Sequence, residues 1–256
     1  MILAIDGGNT HIAFGCVENG EAVGELFRIS TDRHATDYEY VAKLKGIFEL
    51  RGIDRLSFEG AVLSCVVPPL TPVLTRAVRM LTGLEPLVVG AGVKTGLHIA
   101  INDPGTVASD LVAAAVAAKE EYPLPCVIID MGTATTLTVV DEKGRYVGGA
   151  ILPGAKLSLG ALSEGTALLP HIEIQPPRNV IAANTVDSMK AGIVYGTAGA
   201  LDGLLDRFEE ALGMPPASIV ATGGMSRLIC PFCRHAVTLD DTLLLKGLWL
   251  IWKRNR

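Results

Sequence analysis

The chain has 256 residues, 49% of them hydrophobic and 19% charged, which excludes a disordered polypeptide and leaves room for two compact domains or one large one. Lys and Arg number 22 against 27 Asp and Glu, a net charge of −5, so nothing in the balance drives binding to nucleic acid or an anionic membrane. The longest apolar runs, Leu111 to Ala118 and Leu243 to Trp252 with Lys246 inside it, fall short of the roughly 20 residues that cross a bilayer. Met1 leads directly into Ile2 to Ile5 with no basic region or cleavage site, so a cytoplasmic location is expected. In a reducing compartment the five cysteines read as free thiols. Cys230, Cys233 and His235 form half a metal-ligand pattern, but no second pair supplies the rest.

From the N-terminus, an apolar strand carrying Asp6 near its end turns through Gly7-Gly8-Asn9-Thr10, and Asn19-Gly20 turns a second strand into a third. Asp37 to Leu50 has helical spacing, Gly60 to Val67 reads as a buried strand closed by Pro68-Pro69, Pro72 to Thr82 as a helix and Pro86 to Val89 as extended. Thr106 to Ala118 predicts a small-residue helix. A second hairpin set begins at Ile129-Asp130-Met131-Gly132-Thr133. Helices over Leu157 to Leu162 and Asn184 to Leu212, a strand over Ser218 to Thr222 and a helix over Leu243 to Trp252 complete the chain.

The two hairpin sets repeat. Asp6 pairs with Asp130, Gly8 with Gly132, Gly20 with Gly144 and Gly24 with Gly148, each 124 positions apart. One offset for four punctuating residues predicts a duplicated unit. The expected fold is therefore α/β, as two similar domains over residues 1–118 and 119–256 with a cleft between them.

The turns suggest their use. Glycines let a phosphate approach the backbone, Asn9, Thr10 and Thr133 offer side-chain donors, and Asp6 and Asp130 can hold Mg²⁺ through water. Each aspartate alone could equally be a turn cap; the duplication favours a nucleotide site. Ala221-Thr222-Gly223-Gly224, between a predicted strand and a helix, supplies a third glycine turn.

The paired loops resemble those of the actin, sugar kinase and heat-shock ATPase superfamily, which implies two duplicated ribonuclease-H-like domains with an interdomain nucleotide cleft. Further stretches resemble the type III pantothenate kinase family nearly end to end: Arg33 to Glu39, Ser64 to Pro69, Lys94 to Leu97, Asp130 to Thr136, Gly148 to Ile151 with Pro153-Gly154, Asn184-Thr185, and Leu245 to Leu248 with Asn255. The resemblance implies phosphorylation of pantothenate by ATP. It implies nucleotide contacts from Asp6, Gly8, Asn9, Thr10, Gly132, Thr133, Gly223 and Gly224, with Mg²⁺ at Asp6 and Asp130. It also implies a monovalent cation, K⁺ or NH₄⁺, near Asp130 and Thr133 to Thr136. A homodimer is implied through Asn184 to Leu212, with Met189, Ile193 and Leu201 as a stripe that could instead pack within its own domain.

Within Pro104-Gly105-Thr106-Val107-Ala108-Ser109-Asp110-Leu111, Asp110 fills the family's position for the base on the pantothenate hydroxyl. The resemblance implies acceptor contacts from Ile101, Ala108, Ser109, Leu111 and Thr185, and the departures from the family are concentrated on this side. Leu111 replaces Arg, Ala108 replaces Gly, Ile101 stands where Tyr is common, Gly165 stands where Arg is usual, and Ala182-Ala183 replaces Gly-Lys. Three readings follow: a pantothenate kinase that grips its acceptor differently, a kinase for another small alcohol, or a nucleotide-binding paralogue with weak or no activity.

Overall fold

Ile2, Leu3, Ala4 and Ile5 of β1 (Ile2–Gly7) are fully buried, and a strand with no polar face must lie mid-sheet with layers on both sides. It does so in the computed structural model, which describes residues 1–54 and 56–256. β2 (His11–Glu18) pairs antiparallel on one side with β3 (Glu21–Ser30) beyond it, and β4 (Gly60–Cys65) pairs parallel on the other with β5 (Leu87–Val88) outermost.

The helices α1 (Asp37–Arg51) and α2 (Thr71–Thr82) pack together and enclose a core of Phe14, Tyr40, Leu44, Phe48, Leu63, Leu74 and Leu81. α1 begins at a capping box: the Glu39 N–H donates to Thr36 Oγ1 at 3.4 Å, and the Thr36 N–H donates to Glu39 Oε2 at 2.7 Å. Gly52, in the left-handed conformation, ends it.

β6 (His98–Ile99) belongs to a second sheet, and α3 (Ser109–Glu121) precedes the remaining strands of that sheet. These are β7 (Cys126–Met131), β8 (Ala134–Val140), β9 (Arg145–Pro153), β10 (Ser218–Thr222) and β11 (Thr238–Leu239). The order β9-β8-β7-β10-β11 reproduces β3-β2-β1-β4-β5, with β6 added beyond β9. The 124-residue repeat extends to the backbone. Gly20 and Gly144 have φ of 93° and 70°, and Gly24 and Gly148 have 77° and 118°, a region that L side chains avoid. The second pair marks the register shifts of β2 on β3 and of β8 on β9.

The second sheet carries α4 (Ala155–Gly165), α5 (Thr185–Leu212) and the short α6 (Ser226–Ile229). Asn184 caps α5, its Oδ1 accepting the Asp187 N–H at 2.9 Å. Met189, Ile193 and Leu201 of α5 are buried in this unit's own core, so that stripe is intradomain packing rather than a free face for a second copy. No helix among the described residues is long and apolar enough to cross a membrane.

The chain divides into one unit of Met1–Leu97, Asn102–Glu120 and Thr242–Arg256 and another of His98–Ile101 and Glu121–Asp241. A single boundary near residue 119 separates the two hairpin repeats but not the ends of the chain. The last helix, α7 (Leu243–Arg254), packs on β1, β2 and β4 of the first unit. Glycines admit it. A Cβ on Gly247 would lie 1.8 Å from the Ala113 carbonyl oxygen of α3, and one on Gly60 would lie 2.4 Å from the Trp252 ring.

α3 also starts later than its periodicity predicts. Asp103 accepts the Gly105 N–H at 3.2 Å, and the Thr106 hydroxyl donates to the Asp103 carbonyl at 2.7 Å, so Pro104–Thr106 forms a separate 3-10 turn and Val107 is extended. Helix begins at Ser109, which places Asp110 in its first turn.

Candidate active site

In the first unit, Asp6 is the parallel-register neighbour of Ser64, so both side chains leave the sheet on one face. Ser64 is fully buried, and its hydroxyl lies 2.9 Å from that of Ser109. This pair holds the start of α3 against the C-terminal ends of β1 and β4. Asp110 is half-buried, and its Oδ1 accepts the Leu111 N–H at 2.7 Å. Burial pushes its carboxyl above the ordinary range, outweighing the backbone N–H groups that favour the anion. A helix N-terminus usually stabilises a carboxylate; here desolvation wins.

The turn after β1 is closed by the Gly8 N–H donating to the His11 carbonyl at 3.0 Å, where a Cβ on Gly8 would sit 2.9 Å from the same oxygen. The Thr31 hydroxyl donates to the Gly8 carbonyl at 2.7 Å, and Arg33 Nη2 donates to Asn9 Oδ1 at 2.9 Å. Asn9 and Thr10 are exposed at the tip, with the Arg33 guanidinium beside them.

In the second unit, Asp130 stands between Thr136 on β8 and Thr222 on β10. A Cβ on Gly223, whose φ is 92°, would lie 2.6 Å from Asp130 Oδ1 and from the Met131 backbone. A Cβ on Gly154 would meet the Thr133 and Gly132 carbonyls at 2.3 and 2.6 Å. Glycine at 154 and 223 thus lets three segments close around the exposed Gly132-Thr133 tip. Gly224 is exposed beside it. The Thr136 hydroxyl, on the Asp130 face, is buried and has no hydrogen-bond partner among the described residues.

The structure therefore gathers Asp6, Gly8, Asn9, Thr10, Ser109 and Asp110 in one unit and Asp130, Gly132, Thr133, Gly223 and Gly224 in the other. Ala108 and Leu111 flank Ser109 and Asp110, both half-buried. Ile101 and Thr185 belong to the second unit. Ile101 follows the edge strand β6, three strands from β7, and Thr185 is the exposed first residue of α5. Ser64 and Arg33 were missed as site residues. Each sits in a stretch that resembles the family, but only the register of β4 on β1 and the Asn9 contact single them out. Carboxylate oxygens form a hard donor set that fits hydrated Mg²⁺, and the glycine turns with exposed backbone beside them fit phosphate oxygens.

Two units of the same strand order, each with an acid ending its first strand and a glycine turn after it, define the actin-like ATPase and sugar kinase class. Solved structures agree on the fold. The activator of 2-hydroxyisocaproyl-CoA dehydratase from Clostridium difficile, with bound ADPNP, superposes with a TM-score of 0.57 at 15% identity over 99% of this chain and 95% of its own. A Baf family protein from Campylobacter jejuni reaches 0.62 at 17% identity over 99% and 98%. The chain belongs to the type III pantothenate kinase family, whose model matches residues 2–207. It is 41% identical over 256 residues to a type III pantothenate kinase from Pelobacter propionicus, covering both chains in full.

Proposed function

We propose that the protein transfers the γ-phosphoryl group of ATP to the hydroxyl of pantothenate, giving 4′-phosphopantothenate for coenzyme A synthesis. Family membership supports the substrate, and the Ser64–Ser109 contact, which sets Asp110 at the head of α3, is the observation that carries the chemistry. An alcohol is too weak an acid to ionise unaided. Asp110, made more basic by burial, takes its proton as the new O–P bond forms and the bond to the leaving ADP oxygen breaks. The proton passes from Asp110 to solvent. Coupled ADP release with Mg²⁺, K⁺ and millimolar pantothenate tests the reading; ADP release at the no-acceptor rate overturns it.

Asp6 and Asp130 would hold Mg²⁺, which offsets phosphate charge, while Gly8, Asn9, Thr10, Gly132, Thr133, Gly223 and Gly224 would face the nucleotide. The uncommitted hydroxyl of Thr136 suits a monovalent cation, K⁺ or NH₄⁺. ATP with Mg²⁺ is expected to raise the melting temperature, since a ligand that binds only the native state stabilises it by mass action. Asp6→Ala should abolish the Mg²⁺-dependent part of that shift in differential scanning fluorimetry. An unchanged shift in this variant would remove Asp6 from the metal site.

On the acceptor side, Leu111 and Ala108 flank the proposed base. One charge-assisted hydrogen bond to the pantothenate carboxylate contributes roughly 1.5 to 3 kcal/mol. Leu111→Arg is therefore expected to lower the KM for pantothenate about 10- to 100-fold, more fully when combined with Ala108→Gly. A higher KM in both variants would show that the acceptor is held elsewhere. A homodimer through α5 is part of this reading. Its support is the exposed Gly192, Gly196 and Gly199, over which a Cβ would meet nothing within 4 Å; the mass in solution by light scattering decides it.

A further inference from the structure

Cys230 and Cys233 take no part in the proposed phosphoryl transfer. Cys230 opens the 3-10 turn Cys230–Phe232, and Cys233 closes it, its N–H donating to the Cys230 carbonyl at 3.0 Å. Residues three apart in this geometry eclipse at a rise of about 6 Å, within the roughly 4.4–6.8 Å that Cα atoms span across a disulfide.

The turn is fixed from both sides. The Phe232 ring packs edge-on against Tyr195 of α5, with centroids 5.2 Å apart. The Arg234 and His235 N–H groups donate to Asp202 of the same helix at 2.9 to 3.1 Å, and His235 Nδ1 lies 2.9 Å from it. Access is asymmetric. Cys233 is half-buried, whereas Cys230 is 6% exposed behind it, its Sγ 3.9 Å from Met131 Sδ. No group of three or more His, Cys, Asp or Glu among the described residues gathers to hold a metal ion.

We propose that Cys230 and Cys233 are a redox-active dithiol that exchanges with low-molecular-weight disulfides and closes into an intramolecular disulfide. The Cys233 thiolate attacks one sulfur of the small disulfide, forming a mixed disulfide and releasing one small thiolate. The Cys230 sulfur then attacks the Cys233 sulfur and releases the second. The cysteines lose two protons and two electrons, and the small disulfide takes up both pairs as two small thiols. Closure is favoured by proximity: the two residues lie three apart in one 3-10 turn, so the second attack is intramolecular.

The test uses the full chain, equilibrated with oxidised and reduced glutathione, acid-quenched, alkylated and digested with trypsin. The wild-type peptide Leu228–Arg234, which holds both cysteines, is expected to lose two hydrogens and escape alkylation. Dithiothreitol should restore both thiols, and Cys230→Ser should stop at a glutathione adduct on Cys233. In excess oxidised glutathione, a fully alkylated peptide, a persistent wild-type adduct on Cys233 or linkage to another cysteine overturns the proposal. The readout is peptide mass in the wild-type protein, so it stands or falls independently of the kinase reading.

Discussion

Asp110→Asn is expected to lower kcat for pantothenate phosphorylation by about 10²- to 10⁴-fold, the usual contribution of general-base catalysis, with little change in ATP affinity. Asn keeps the shape and can still accept the Leu111 N–H, but it cannot take a proton. The same substitution should stabilise the fold. The folded pKa of Asp110 is raised by burial above its ordinary value of 3.8, so the native state binds this proton more tightly than the unfolded chain. Stability linked to the group is present in acid, declines as pH rises from 3.8 through the folded pKa, and is absent at neutrality. Asp110→Asn should therefore melt above wild type at pH 7, with the difference vanishing below 3.8. Wild-type activity should also fall on the acid side as Asp110 protonates. An Asn variant with normal turnover and normal melting would make Asp110 an ordinary helix-start residue.

Gly223→Ala is expected to destabilise the protein by about 2 to 6 kcal/mol, from roughly 1–3 for a side chain at a positive φ and a similar amount for overpacking. The new Cβ meets the Met131 backbone and Asp130 Oδ1 at 2.6 Å, and rigid backbone cannot yield as a flexible side chain would. Asp130 would be displaced, so the Mg²⁺-dependent shift with ATP should shrink as well. Gly46→Ala in α1 is the control. There a Cβ meets nothing within 4 Å, and removing a helical glycine should be neutral or stabilising by up to about 1 kcal/mol. Urea titration of both variants measures the contrast, and equal midpoints would refute the close approach at Gly223.

Much of this was legible in the sequence because it is local. Strand ends, turn glycines and the 124-residue offset are punctuation, and each hairpin carries its own. Asp6, Asp130 and their loops could be read in that way. Ser64 could not, since its importance lies in the register of β4 on β1 and in a hydroxyl 45 positions away. α3 starts three residues later than its spacing predicts because small apolar residues around Val107 keep helical spacing, while the competing turn is built from the Asp103 side chain. The pattern of α7 says that one face is buried without saying against which sheet. Met189, Ile193 and Leu201 pose the same ambiguity, which packing in the second unit's own core resolves.

The return of α7 bears on the order of assembly during synthesis. The second unit lies almost entirely within one continuous stretch, Glu121–Asp241, whereas the first needs residues from both ends of the chain. Until Leu245 and Trp252 emerge, β1, β2 and β4 lack the layer that fills the space over Gly15 and Gly60. The earliest-made sheet is therefore the last to be completed. The face of its apolar strands that α7 covers stays open while the later unit folds, the interval in which an incomplete domain is most prone to aggregate or to engage a chaperone.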